Sequence, residues 1–264
     1  MKKIILILVS IGTIAACNNV PQEKQKQDST IPKETIKIQE TKVEEDIPNL
    51  VSEDAVADND HYEKLRFFAE RGNLKEVENL ITYGVNINKL KIREDLDEYY
   101  EDTPLMLAGR KGHLDVVNLL LKHGANVNQI TLAAERDIEP GDDSTALELA
   151  CSWNHMDVVM TLAKAGTNAR SILYCACTKG NEELLKMALE KKVPLDTIYG
   201  QGFSPLMLAA ERGYSNIVKT LIEAGADVNY NNDFDGEKYT VLDAAKVNGH
   251  LDTAEILKAA GAKE

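Results

Sequence analysis

The sequence predicts an all-α solenoid of about six helix-turn-helix copies joined by hairpin loops, and three observations predict it. A turn residue recurs at Gly72, Gly112, Asn154, Gly180, Gly213 and Gly249. A second mark recurs at Gly84, Gly124, Gly166, Lys192, Gly225 and Gly261, always 12 residues after the first. Seven residues before each turn stands a leucine, namely Leu65, Leu105, Leu147, Leu173, Leu206 and Leu242. Between successive turns the spacing is 40, 42, 26, 33 and 36 residues, so the interiors are fixed and only the joins vary in length. A stack of repeats tolerates insertions only where they leave its core, which is this pattern.

The copy from Asp102 to Asn128 shows how each element arises. Thr103 is a helix N-cap and Pro104 occupies the first helical position, where its missing N–H costs nothing. Leu105 and Ala108 share a face, and Gly112 ends the helix. Val116, Val117, Leu120 and Leu121 then form one apolar stripe on a second helix that ends at Gly124. A single pair of this kind cannot bury its own apolar face and must stack. The small residue four before the turn is Ala108, Ala150, Ala176, Ala209 or Ala245, with Phe68 in the first copy. It lets neighbouring helices approach while the leucine fills the core.

The run Thr103-Pro104-Leu105-Met106-Leu107-Ala108 resembles the opening of an ankyrin repeat. The copies span residues 61–88, 102–128, 144–169, 171–196, 204–229 and 240–264. All but the first carry a hydroxyl nine before the turn, at Thr103, Thr145, Ser171, Ser204 and Thr240, as an N-cap would. Copy one lacks the Thr-Pro opening and reads as a cap. Copy four is the most degenerate, ending on Lys192 with Pro194 in place of Asn. Copy six exchanges apolar residues for Thr253 and Lys258, as a solvent-facing terminal cap requires. Where the family has histidine after the Thr-Pro-Leu run, this chain has Met106, Glu148, Tyr174, Met207 and Asp243. The resemblance then implies that the Thr–His hydrogen bond is missing and the turn less rigid. His113, His155 and His250 occupy the family's Gly-His position, a structural role.

At the start, Lys2 and Lys3 precede an apolar run from Ile4 to Ile14, too short to span a bilayer and laid out as a secretory signal. Ile14-Ala15-Ala16-Cys17 resembles the lipobox of bacterial lipoproteins. It implies a signal peptide over residues 1–16, acyl chains on Cys17 and a place in the cell envelope. Asn18 in the next position favours the outer membrane. Residues 17–58 are rich in Gln, Lys, Glu, Thr and Asp and contain no aromatic residue, so a disordered tether is expected, with the repeat domain over 59–264. About 40 flexible residues reach roughly 35 Å.

The formal net charge is −13, and loss of the two leader lysines leaves −15. That acidity argues against nucleic acid and anionic lipid as partners and favours a basic protein. The joins concentrate it, with Glu94, Asp95, Asp97, Glu98, Glu101 and Asp102 in one and Glu135, Asp137, Glu139, Asp142 and Asp143 in the other. Neither has the ligand spacing of an EF-hand, and no P-loop or HExxH motif occurs. Three cysteines remain beyond Cys17. Cys151 and Cys177 occupy equivalent positions in adjacent copies, about 10 Å apart and beyond the ~7 Å reach of a disulfide. Cys151, Cys175 and Cys177 are therefore expected to be buried small residues.

The resemblance places partner contacts on the ends of the first helices and the hairpin tips. In this chain these are Asp102, Arg110, Lys111, Trp153, Lys179, Phe203, Arg212 and Tyr239, with Tyr99 and Tyr100 just upstream. Trp153 stands where other copies place Lys or Arg, and Trp, Tyr and Arg dominate binding hot spots. The expectation is a lipid-anchored, monomeric protein-binding module of the envelope, without cofactor, metal or catalytic residues. A narrower alternative is an immunity or inhibitor protein acting on a periplasmic toxin or hydrolase. One from another class is a metal-binding or redox protein using Cys175 and Cys177.

Overall fold

The computed structural model describes residues 53–90, 102–130, 144–200, 202–234 and 237–263. The expected signal peptide, Cys17 and nearly all of the expected tether lie outside them. Six first helices follow one another across the stack: α1 Glu53–Glu70, α3 Pro104–Lys111, α5 Ala146–Ser152, α7 Ala169–Lys179, α9 Pro205–Glu211 and α11 Val241–Val247. Six second helices form the row behind them: α2 Leu74–Tyr83, α4 Leu114–Lys122, α6 Met156–Lys164, α8 Glu182–Glu190, α10 Ser215–Glu223 and α12 Leu251–Ala259. Between α10 and α11, strands β1 (Asn231–Phe234) and β2 (Glu237–Thr240) pair antiparallel, with Asn231 opposite Thr240 and Phe234 opposite Glu237. Helix α1 begins inside the stretch read as tether.

All twelve sequence marks adopt a left-handed backbone, including the two that are not glycine, Asn154 at φ 63° and Lys192 at φ 55°. At the inter-helix turns a second constraint is added. A Cβ on Gly72 would lie 2.7 Å from Nδ1 of His113, and a Cβ on Gly180 would lie 2.7 Å from the ring of Tyr214. His155 stands in the same way over Gly112, and His250 over Gly213. Each ring belongs to the following copy, so the glycine of one copy is the floor on which the next copy rests. His113 is also tied to the preceding copy through Nε2 and the carbonyl of Glu70, 2.9 Å away. Copy four carries Asn181 where copies two, three, five and six place a ring, and the turn beneath it is Asn154. Without a ring above, this turn accommodates a side chain.

The leucine column and the alanine column are fully buried, apart from half-buried Phe68. Thr103, Thr145, Ser204 and Thr240 cap their helices as expected, each accepting from the backbone N–H three residues on. Ser171 does not. Helix α7 starts a turn earlier, capped by Asn168, and Ser171 lies buried within it. The shortened join explains the difference, because the chain leaves α6 and enters α7 through Thr167 and Asn168 with no room for a hairpin. The missing histidine does not leave the turns loose. Glu148 Oε2 accepts from the Thr145 N–H at 2.8 Å and its hydroxyl at 3.0 Å, and Asp243 Oδ2 accepts from the same groups of Thr240 at 3.0 and 2.7 Å. A carboxylate serves the capping box well because one of its oxygens, with more than one lone pair, accepts from both the cap N–H and the cap hydroxyl. Thr253 is not a solvent-facing residue either. It is buried between α10 and α12, and its hydroxyl lies 2.9 Å from that of Ser215, which satisfies the polar group the core would otherwise strand.

Side chains also link the loops of adjacent copies. Asn88 donates to the carbonyl of Gly124 at 2.9 Å and accepts from the N–H of Asn126 at 2.8 Å. Asn128 makes the same two bonds to Gly166 and Asn168, and Asn229 accepts from Lys263. In copy three this position is Arg170, and the ladder is interrupted. There the guanidinium donates to the carbonyl of Ile198 at 3.1 Å and lies 5.2 Å from the ring centre of Tyr199. The same junction holds a disulfide that the equivalent-position argument missed. Cys151 of α5 is bonded to Cys175 of α7 across a Cα separation of 5.9 Å. The bonded positions are offset by two residues, and small neighbours (Ala150 and Ala176, both buried) allow α5 and α7 to close to that distance.

Two predictions follow from this packing. Gly180→Asn alone should cost about 2 kcal/mol from the left-handed turn and the collision with Tyr214. Combined with Tyr214→Asn it should cost about 1 kcal/mol less than the sum of the single changes, because the pair reproduces Asn154 and Asn181; urea unfolding of the four proteins measures this. Replacing Cys151 and Cys175 by serine should lower unfolding stability by about 3 kcal/mol, the loop-entropy value for a span of this size. Denaturation under oxidising and reducing conditions should show that difference in the parent and none in the double serine variant.

Candidate protein-binding face

The first helices end side by side, so residues just before the inter-helix turns form a row across the stack. Trp153, the C-cap of α5, is 61 % exposed. Lys111 closes α3 and is exposed, with its ammonium 3.7 Å from Glu70. Lys179 closes α7 and is half-buried; burial and then the charge of Arg212 hold its pKa below the usual lysine value. Arg212 is the exposed C-cap of α9. At the hairpin side, Phe203 bridges to Tyr199, and its ring meets that of Tyr239 edge-on, 6.4 Å between centres. Burial raises the Tyr239 hydroxyl to about 12, helped by the negative charges of Glu211 and Asp243. The pair therefore offers neutral aromatic surface at any physiological pH. Tyr99 and Tyr100 lie outside the described residues.

Two of the expected contact residues are engaged inside the stack. Asp102 is buried, its carboxylate 3.0 Å from the Arg110 guanidinium, which also pairs with Glu70 of the preceding copy at 3.1 Å. Arg66 of α1 donates to the Asp102 carbonyl at 2.9 Å. This network joins copies one and two, and removing Arg110 would take a charge partner from a buried carboxylate. Arg110 and Asp102 are thus mortar between copies. Sequence position alone cannot separate them from Lys111 and Arg212, because the difference lies in what the neighbouring copy places opposite. Arg71 was missed; it takes the same row position in copy one, where its guanidinium lies 4.1 Å from the Phe67 ring centre. Spacing from Gly72 would have found it.

The metal or redox pair imagined for Cys175 and Cys177 does not form. Cys175 is bonded to Cys151, and burial pushes the Cys177 thiol far above the range where a thiolate exists. What this face can do is bind, through exposed aromatic surface and cations held on a packed scaffold.

The family model for ankyrin repeats (3 copies) matches residues 43–131, 68–171 and 173–263. The chain belongs to the ankyrin-repeat family. Among relatives, an ankyrin repeat and KH domain-containing protein of Caenorhabditis briggsae is 29 % identical over 187 residues, covering 71 % of this chain and 6 % of that protein. The protein mask-1 of Caenorhabditis elegans, of the same description, is 31 % identical, again over 71 % of this chain and 6 % of its own length. The chain thus spans a small fraction of the length of these relatives. The human ASB11 ankyrin repeat domain superposes with a TM-score of 0.56 at 27 % identity, covering 75 % of this chain and 84 % of that one. An ankyrin stack is typically a protein-interaction scaffold without catalysis, which agrees with the exposed row found here.

One titrating group inside the ankyrin stack borders this face. Burial raises the pKa of Glu148 above its ordinary 4.5, opposed by the Thr145 and Ser171 hydrogen bonds and the charge of Arg170. An acid whose folded pKa is raised stabilises the fold fully below its unfolded pKa, and that contribution is lost as pH rises through the folded value. Glu148→Gln keeps an acceptor for Thr145 and removes the charge. Its melting temperature should therefore match the parent near pH 4 and exceed it near pH 8, measured by thermal unfolding at both.

Proposed function

We propose that this ankyrin stack is a monomeric protein-binding module held to a membrane of the bacterial cell envelope, the outer one as Asn18 favours, by acyl chains on Cys17. It presents its first-helix ends and hairpin side to another protein, without turnover. The observation that carries the reading is Trp153, a large aromatic side chain left 61 % exposed on a rigid helix end, where neighbouring copies hold cations. Exposed anchors of this type concentrate binding energy. Two further facts support the envelope. The lysine-flanked apolar leader ends in Ile14-Ala15-Ala16-Cys17, and the Cys151–Cys175 disulfide suits an oxidising compartment. The partner surface that meets the two acidic joins is basic, and association is steered by charge. An immunity or inhibitor protein directed at a periplasmic toxin or hydrolase is a narrower form of this same activity.

The reading is tested in cells with a photoreactive amino acid at position 153 of the full chain. Illumination should give a discrete crosslinked species, absent when the group is placed at Lys219 on α10. The same cells fed an alkynyl fatty acid should label the chain, and Cys17→Ala should abolish labelling and release it from the membrane fraction. A chain that crosslinks to nothing, or that labels equally as the alanine variant, would remove the binding or the anchoring half of the proposal respectively.

A further inference from the structure

The last position before each first-helix turn reads Arg71, Lys111, Trp153, Lys179, Arg212 and Asn248. Four of these six are cations, on a chain whose formal net charge is −13. A cation at a helix C-terminus gains from the helix dipole, but the dipole alone does not produce this row. The corresponding last positions of the second helices are Tyr83, His123, Ala165, Lys191, Ala224 and Ala260, with a single lysine. The first-helix row is moreover self-opposed. Lys179 is half-buried, and burial first and then the charge of Arg212 disfavour its protonated form. Among the described residues neither of the two has an ion-pair partner. At the other end Lys111 has Glu70 nearby, and Arg71 rests on Phe67. The row is thus two cations, an exposed tryptophan, and two more cations, one per copy.

Resting on the binding reading above, we propose that this row is the docking track for an extended acidic segment of the partner, with carboxylates at every third residue and an apolar residue at its centre seated on Trp153. The dimensions suit this occupant. Neighbouring copies stand about 10 Å apart, so the five positions span about 40 Å. An extended polyproline-type chain advances about 9 Å per turn of three residues, so each copy meets one turn, and about 13 residues cover the track. Such a segment has no internal hydrogen bonds to lose and little ordering cost. Charge complementarity selects it, and the unopposed pair Lys179 and Arg212 is relieved when it binds. The basic partner expected from the net charge then carries an acidic strand as well.

The experiment uses the purified full chain and a fluorescent peptide of about 13 residues with Glu at every third position and a central Leu, read by anisotropy. Binding should weaken steeply between low and high salt. Lys179→Glu with Arg212→Glu, and separately Trp153→Ala, should each weaken it at least about tenfold. Lys191→Glu with Lys219→Glu on the second helices should leave it unchanged, and circular dichroism melting of every variant establishes that it is folded. Equal affinity for a peptide with Gln at the Glu positions, or indifference to the Lys179 and Arg212 reversals, overturns the proposal. So does self-association in sedimentation that the same reversals abolish, which would make a second copy the occupant. In cells, the peptide crosslinked to position 153 should be acidic by mass spectrometry. A captured peptide of neutral or basic sequence sinks the acidic track while leaving the binding module standing, whereas no capture at all removes the module itself.

Discussion

Everything in this stack depends on a left-handed turn that is also a seat. Closing each helical hairpin requires a residue at positive φ, and the ring of the next copy lies against that residue where a Cβ would stand, His113 over Gly72 and Tyr214 over Gly180. Glycine is required twice, once for its backbone and once for the space it leaves. The two requirements separate where Asn154 meets the first condition and copy four, with Asn181, withdraws the second. The turn residue of one copy and the first residue of the next are therefore chosen together. That dependence between neighbours, more than any single repeat, keeps the row aligned.

The junction of copies three and four shows what happens when the regular joints are withdrawn. The ring-on-glycine seat is gone, the asparagine ladder stops at Arg170, and the short join leaves no hairpin. In their place are the Cys151–Cys175 bond, the Thr145 hydroxyl turned toward that of Ser171 at 3.4 Å, the Arg170–Tyr199 contact and the ion pair of Lys164 with Glu183. The last is exposed at both ends and contributes little. The covalent bond is the strong member of this set, because it removes chain entropy from the unfolded state whatever the solvent does. A secreted compartment, where such a bond persists, is the setting in which this junction is at its firmest.

Charge on this chain is sorted by position. The acidic residues that set its net charge crowd the long joins, while the ends of the first helices carry cations around Trp153. Asp102 and Arg110 belong to neither group, since they neutralise one another within the join of copies one and two. A partner reading this surface meets rigid, preorganised groups, so less ordering opposes association than a loop-built site would impose.

The sequence by itself determined the number of copies, the two turns of each and the columns of leucine and alanine between them. Those features recur, and a stack buries each copy in the same way, so repetition within one chain carries the information that an alignment would. It also placed Lys111, Trp153, Lys179 and Arg212 on one row by counting from the turns. Only the tertiary structure decided what each copy does to its neighbour. It sent Asp102 and Arg110 inward, turned Thr253 into a core residue beside Ser215, gave Glu148 the histidine's task at the Thr145 cap and joined Cys151 to Cys175. The Thr145–Glu148 cap is local to its copy, whereas Arg110 to Glu70, Thr253 to Ser215 and Cys151 to Cys175 join different copies. Counting along the chain fixes position within a repeat, whereas how closely and with what offset two repeats pack follows from the volumes of side chains that meet only once the chain has folded.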